Sequence, residues 1–233
     1  MAVYAIGDLH LSLALDKPMD VFGNKWSNYV EKIEDGFSAV KPDDITVICG
    51  DVSWGINFEE CLPDFRFIDS LPGRKILLKG NHDYYWSTMT KLREFLSNNN
   101  LTSIDFLNNN AFEYKDYSIC GTRGWFEDDN TSQDLISHNK KLINREVSRL
   151  EQSLKSASTS NRIVFLHYPP IYKSFVLKDF IKIFETFNVE NCYYGHLHSS
   201  GLNYAFESTY GNTSYKCVSA DHIDFTPVRI IDD

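Results

Sequence analysis

The chain has 233 residues, of which 42% are hydrophobic, 14% aromatic and 24% charged, with a formal net charge of −9 at pH 7. Its length supports a full core, most simply one domain over residues 1–233; its apolar content excludes a disordered chain, and 12 Gly and 7 Pro exclude a fibrous one. The acid excess argues against a nucleic-acid coat or an anionic membrane surface and suits cations, and no apolar run reaches the ~20 residues of a membrane helix.

Met1 to Ile6 lacks the basic flank and long apolar stretch of a signal peptide and leads straight into Gly7-Asp8-Leu9-His10. Val3–Ile6 therefore reads as a strand of the mature fold, and the protein is expected in the cytoplasm. Leu11 to Asn24, with Asp16, Lys17, Pro18 and Gly23, reads as a loop at the rim of a site. A helical pattern follows over Trp26 to Val40, with Tyr29, Val30, Ile33 and Phe37 at three- and four-residue spacing. Next come a strand at Ile45–Cys49, a helix at Glu59–Leu71, a strand at Ile76–Leu78 and a helix at Tyr85–Leu96. Asn98 to Asn100 and Asn108 to Asn110 read as turns. A strand at Ser118–Cys120 precedes the longest helix, Ser132 to Leu154, striped by Leu135, Leu142, Ile143, Val147, Leu150 and Leu154. The chain closes with a strand at Ile163–Leu166, a helix at Leu177–Phe187, and strands at Cys192–Tyr194, Tyr215–Val218 and Pro227–Ile231. Alternation of strand and helix predicts βαβ units, and the near-continuous apolar runs predict strands buried on both faces. The strand-rich C-terminal third predicts a second sheet or an antiparallel extension.

Cys49, Cys61, Cys120, Cys192 and Cys217 are odd in number, widely spaced and form no CxxC pair. They read as buried reduced thiols rather than as a disulfide framework or a thiolate metal site.

Nearly every strand run stops at a residue of metal-ligand type. The ends are Asp8 and His10, Gly50-Asp51, Gly80-Asn81-His82-Asp83, His167, and Gly195-His196-Leu197-His198. In open α/β sheets, ligands bind beyond the carboxyl ends of the strands, so these segments are expected to converge. A single His or Asp at a strand end is commonly a packed residue or a helix cap. That explanation suits His138, in the long helix, and His222, but not five strand ends together. Asp8, Asp51 and Asn81 offer oxygen, and His10, His167, His196 and His198 offer nitrogen. Such a mixed set suits manganese, iron, zinc or related ions rather than calcium. It exceeds what one tetrahedral ion needs and fits two ions sharing a carboxylate, which can acidify a water and clamp a displacement at phosphorus. His82 is left over, placed to protonate a leaving oxygen, with Asp83 to orient it.

This order of motifs resembles the calcineurin-like metallophosphoesterase superfamily over residues 8 to 198. The resemblance implies a four-layer α/β/β/α sandwich with two packed mixed sheets. It also implies two divalent transition-metal ions, manganese first, with iron, zinc, cobalt or nickel as alternatives. On that pattern Asp8, His10 and His198 hold one ion, Asn81, His167 and His196 the other, and Asp51 bridges. A bridging hydroxide would attack phosphorus, and His82 would stabilise the transition state and protonate the leaving group. In the phosphoprotein phosphatase branch the second motif continues with an Asp-Arg pair and the third ends in Glu. Here they read Val52-Ser53-Trp54-Gly55 and Asp83, so the phosphate-clamping Arg is missing from its usual place. The chain is more similar to the compact bacterial and archaeal phosphohydrolases.

Aromatic residues crowd the motif loops: Trp54, Tyr84, Tyr85, Trp86, Trp125, Phe126, Tyr168 and Tyr172. They are either a stacking wall for a base or aryl group or core packing beneath the loops. Arg123, in Gly121-Thr122-Arg123-Gly124-Trp125, is either a replacement phosphate clamp or the partner of Glu127 or Asp128. Substrate contacts are therefore expected from Arg123, Trp54, Tyr84 and Trp125. The partner is a small phosphorylated molecule, and the few cations near the motifs favour a phosphodiester over a monoester. Two other readings stand beside the hydrolase: a non-catalytic scaffold of the same fold and a metal-dependent nuclease.

Overall fold

The inner strands of this protein, such as Val3–Ile6 and Ile45–Ile48, are short and apolar because they are covered on both sides, and the helices between them carry one apolar stripe each. The computed structural model describes residues 1–125, 133–173 and 175–231, with side chains from 138 onward in the second segment. Phe126, Glu127, Asp128 and Ser132, and the side chain of Leu135, lie outside the described residues. The first half contains β1 (Val3–Ile6), α1 (Tyr29–Gly36), β2 (Ile45–Ile48), α2 (Phe58–Ser70), β3 (Arg74–Leu77), α3 (Met89–Asn98) and β4 (Ile104–Phe106). Next come β5 (Ala111–Tyr114), β6 (Tyr117–Thr122), α4 (Gln133–Lys155) and β7 (Asn161–Leu166). The remainder is β8 (Ile171–Tyr172), β9 (Phe175–Val176), α5 (Lys178–Thr186), β10 (Asn191–Tyr194), β11 (Thr209–Tyr210), β12 (Thr213–Cys217) and β13 (Val228–Ile231).

Two large sheets result. One has the order β13-β1-β2-β3-β4, the other β11-β12-β10-β7-β6-β5. In the first, β1, β2, β3 and β4 are mutually parallel and β13 returns antiparallel at the edge. In the second, β12, β10, β7 and β6 are parallel and the edge strands β11 and β5 are antiparallel. Both expectations for the C-terminal third are met: β10 and β12 join the second sheet, while β13 extends the first. The β5–β6 hairpin joins the second sheet from mid-chain.

Three cores separate four layers. Side chains alternate across each strand, so β1 sends Tyr4 and Ile6 towards α1, α2 and α3, where they meet Ile33, Phe65 and Phe95. Val3 and Ala5 point the other way, into a sheet-on-sheet core with Val47, Ile76, Ile119, Ile163 and Phe165. The far face of the second sheet, with Val164, Leu166 and Cys192, packs on Ile143, Leu150 and Leu154 of α4 and on Phe180 and Phe184 of α5. This is the α/β/β/α sandwich, and it accounts for strand runs with no polar face. All five cysteines are free and buried within these layers. Among the described residues, no helix is long and apolar enough to cross a membrane.

Local differences from the sequence expectation have local causes. The helix expected from Tyr85 begins at Met89, because Thr88 caps it by accepting from the Lys91 N–H at 3.4 Å. The pattern from Trp26 to Val40 yields a shorter α1, flanked by 3-10 turns at Asn24–Trp26 and Phe37–Ala39. β4 and β5 escaped notice because three or four residues with a central acid, Asp105 or Glu113, leave too little pattern to read.

Candidate metal centre

The strands that carry the ligand-type motifs end together. Asp8 and His10 follow β1, Asp51 follows β2, Asn81 follows β3, His167 follows β7, and His196 and His198 follow β10. Ligand atoms of Asp8, His10 and Asp51 all lie within 4.8 Å of one another, as do those of Asp51, His167 and His196. Asp51 thus belongs to both groups, with Oδ2 3.8 Å from His10 Nε2 and Oδ1 3.5 Å from His167 Nε2. Asn81 Oδ1 lies 2.7 Å from His167 Nε2 and 2.9 Å from His196 Nδ1. The His198 ring stands 5.4 Å from the His10 ring. All seven expected ligands are therefore gathered in one place.

Several features of this cluster fit cations. His167 Nδ1 is 2.9 Å from the Cys49 carbonyl, which only accepts, so Nδ1 carries the proton and Nε2 presents a lone pair. With Asn81 Oδ1 turned towards it, two lone pairs face one another, an arrangement a cation between them relieves. Both ring nitrogens of the buried His10, and Nδ1 of His198, lack a hydrogen-bond partner among the described residues. Burying an unpaired polar atom costs roughly 1–3 kcal/mol, so these atoms call for a ligand. Burial, then the neighbouring carboxylate of Asp51, pushes the Asp8 carboxyl well up from its ordinary value, and burial pushes Asp51 up to about 6. Burial and the other imidazoles hold His10 down, and burial holds His167 near about 3 and His196 near about 2. Burial thus disfavours charge of either sign here: it keeps the imidazoles neutral, with lone pairs to offer, and sets the Asp8 and Asp51 carboxylates against one another, a repulsion that a cation between them would relieve.

The backbone is bent to achieve this. Asp8, His10, Asp51 and His196 have φ of 57°, 47°, 50° and 71°, left-handed values that cost a non-glycine residue roughly 1–2 kcal/mol each. Gly80 has no side chain because a Cβ there would stand 2.0 Å from Asp51 Oδ1 and 2.2 Å from Asp51 N. At Gly195 it would stand 2.6 Å from Asp8 Oδ2, where the Asp8 carboxylate also accepts from the His196 N–H at 2.8 Å.

Asp83 has work other than orienting His82. Its carboxylate is fully buried and accepts from the N–H groups of Gly80 (2.6 Å), Asp51 (3.0 Å), Val52 (2.8 Å) and Ser53 (3.4 Å). It ties the loop after β3 to the loop after β2. The His82 ring is not among its partners, and His82 Nδ1 has no hydrogen-bond partner among the described residues. The His82 ring lies 5.6 Å from His10 and 4.5 Å from Trp54, while its N–H donates to Asp51 Oδ1 at 2.8 Å.

The expected substrate contacts separate. Trp54 stacks on His10 at 5.0 Å, and the Leu11–Asn24 loop does reach it: Lys17 lies 4.9 Å over its ring and Met19 Sδ accepts from its Nε1. Tyr84 is exposed, 6.1 Å from the His82 ring. Tyr85 is a core residue packed on Phe65, and Trp86, partly buried, packs edge-on against Phe106. Arg123 carries its guanidinium 5.0 Å over Trp125 and 4.0 Å from Glu146, an acid the sequence reading did not name. Its carbonyl accepts from the N–H of His167 and of Tyr168, which binds β6 to the ligand-bearing end of β7. His222 pairs with Glu207 and His138 is exposed on α4, so neither joins the cluster. Asp221 was missed. It is buried, its charge acts on His198 and Asp8, and it follows β12 at the same sheet edge, where the strand-end rule would have found it.

The family model described as Calcineurin-like phosphoesterase matches residues 1–200. No curated protein matches the chain. Among solved structures, the chain is similar in fold to phosphopantetheinyl hydrolase from Mycobacterium tuberculosis, with 12% identity, 100% of this chain and 96% of that one covered, and a TM-score of 0.58. A protein of unknown function from Aquifex aeolicus aligns with 16% identity over 98% of this chain and 95% of that one, with a TM-score of 0.49.

Proposed function

The chain belongs to the calcineurin-like phosphoesterase family, and on that footing we propose that it is a metal-dependent hydrolase of phosphoric esters using two divalent transition-metal ions. The observation that carries this reading is the double cluster sharing Asp51, one oxygen towards each half. Asp8, His10 and His198 would hold one ion, Asn81, His167 and His196 the other, with Asp51 between. Bound there, the two ions, manganese first, would acidify a water and polarise the phosphoryl group. The residues of the chain do the rest. Asp83 holds Asp51 and the Gly80 turn in register, and Trp54 backs the His10 ring. His82, with Nδ1 unengaged by the described residues, stands ready to donate a proton to the leaving oxygen. With few cations at the ligands themselves, a singly charged phosphodiester is favoured over a monoester.

Elemental analysis with hydrolysis of bis-p-nitrophenyl phosphate and p-nitrophenyl phosphate, with and without manganese, tests the proposal. The expected result is near two metals per chain and faster diester turnover. His82→Ala should keep its metal and lose roughly 10²–10⁴ in rate, while Asp51→Ala should lose metal. A folded Asp51→Ala protein with full activity, or wild-type protein with neither metal nor turnover, overturns it.

A further inference from the structure

A cavity of about 330 Å³ lies beside the ligand cluster, between the ends of β3, β4 and β6 and the flank of α4. Among the described residues, four cations line it, Lys79, Arg123, Arg145 and Arg149, against one carboxylate, Glu146. In a chain of net charge −9 this is a local reversal of sign. Glu146 is fully buried and serves all three arginines: Arg149 at 2.6 Å, Arg145 at 3.8 Å and Arg123 at 4.0 Å, while Thr122 donates its hydroxyl at 2.6 Å. One carboxylate cannot neutralise three guanidinium groups, and each carries five donors. Arg123 Nε is buried without a hydrogen-bond partner among the described residues. Among the described residues, the cations gathered around Glu146 therefore leave donors and positive charge unspent within one cavity.

The cavity adjoins the ligand cluster on one side. Lys79 stands two residues before Asn81. The Arg123 carbonyl holds the N–H groups of His167 and Tyr168. Along the sheet edges the order is continuous: the ligands occupy the ends of β1, β2 and β3 and of β10 and β7, and the cavity occupies the next ends, β4 and β6.

We propose that this cavity seats a second, non-scissile phosphoryl group, so that the substrate is a phosphoric ester carrying a further phosphate beside the one cleaved. This rests on the hydrolase reading above. Guanidinium forks match the oxygens of a phosphoryl dianion, and the charge excess supplies an attraction for a phosphate beside the one that the metal ions would bind.

The test uses the manganese-loaded protein and two probes, the p-nitrophenyl ester of thymidine 5′-phosphate with and without a phosphate on the 3′ oxygen. Wild type should favour the 3′-phosphorylated probe about tenfold or more in kcat/KM, the effect of one good charged contact. Arg145→Gln should reduce that ratio, and Arg145→Gln with Arg149→Gln should abolish it. The single variant keeps the Arg149–Glu146 pair, so the test survives if the double variant does not fold. Lys140→Gln with Lys141→Gln, exposed on α4, removes the same charge elsewhere and should leave the ratio intact. A wild-type ratio near one, or an equal fall in the lysine control, overturns the proposal. If wild type turns over neither probe, the hydrolase reading fails separately. Calorimetric titration of inorganic pyrophosphate into the metal-loaded protein then decides the cavity alone. A roughly tenfold affinity loss in Arg145→Gln, absent from the lysine control, supports a phosphoryl seat, and equal affinities overturn it. Pyrophosphate binding lost in Arg145→Gln without any probe preference would make the cavity an effector site and overturn the substrate assignment.

Discussion

Asp83→Asn isolates what holds the two central loops together. The substitution keeps the shape and replaces one accepting oxygen with an NH₂ group that cannot accept. In the structure one carboxylate oxygen serves Gly80 and Asp51, and the other serves Val52 and Ser53. Whichever way the amide turns, two buried N–H groups lose their acceptor and face another donor. At roughly 1–3 kcal/mol for each stranded group, the loss is roughly 2–6 kcal/mol. Asp83 and Asp51 repel one another, so removing the charge returns part of this and places the expectation near about 3 kcal/mol. That is a large share of a typical total of about 5–15 kcal/mol. Urea unfolding in the presence of a chelator measures it without help from bound metal, and a slope of roughly 2–3 kcal/mol/M turns the loss into a midpoint lowered by roughly 1–1.5 M. Metal retention should fall with it, because Asp51 is positioned through its N–H. A midpoint within about 0.2 M of wild type, with metal content unchanged, refutes the claim that Asp83 is the clasp between these loops.

Gly80→Ala drives a Cβ to within 2.0 Å of Asp51 Oδ1, so it should displace the shared carboxylate and abolish metal uptake and turnover; a folded variant with normal metal content contradicts the geometry. Stripping metal should lower the melting temperature, since a ligand at a hundred times its Kd adds about 2.7 kcal/mol, worth roughly 5–10 °C in a chain of this size; an unchanged melting point counts against a site built for ions. Lys75 is buried in β3, donates to the carbonyls of Leu71 (2.6 Å), Gly73 (2.8 Å) and Asp69 (3.3 Å), and is pushed by burial from an ordinary 10.5 down to about 8. With the folded pKa below the unfolded one, the cost of the buried ammonium is fully present below about pH 8 and is relieved, by up to about 3 kcal/mol, as pH rises towards 10.5. The stability gap between wild type and Lys75→Met should shift by that amount over this range, a difference that cancels the opposing pull of the buried thiols; a constant gap refutes it.

The parts of this protein that were legible in its sequence are those where chemistry dictates a residue type at a definite place along a strand. Five strand runs ended in Asp, Asn or His, and each of those residues stands in the cluster, because a parallel strand delivers whatever follows it to the same sheet edge. The burial of the strands was legible for a related reason: a strand covered on both faces has no polar side to show, and the helical stripes mark what packs on them, whereas the order of four layers followed only from the resemblance to the metallophosphoesterase superfamily. The supports were not legible, because their meaning lies in a partner far along the chain. Asp83 looked like an orienting acid for its neighbour His82, yet it bonds to backbone some thirty residues away. Nothing in the helical stripe of α4 marked Glu146 as buried rather than solvated, since an acid between two basic residues reads as an exposed face. Its burial makes sense only when β6 brings Thr122 and Arg123 against it. Asp221 lies between these cases: it follows a strand of the same edge, but Val218, Ser219 and Ala220 stand between the end of β12 and the acid, which hid it four residues beyond the strand. The candidate ligands are thus written in local sequence, whereas the charges gathered around Glu146 are written in the pairing of strands, and only the folded chain brings them together.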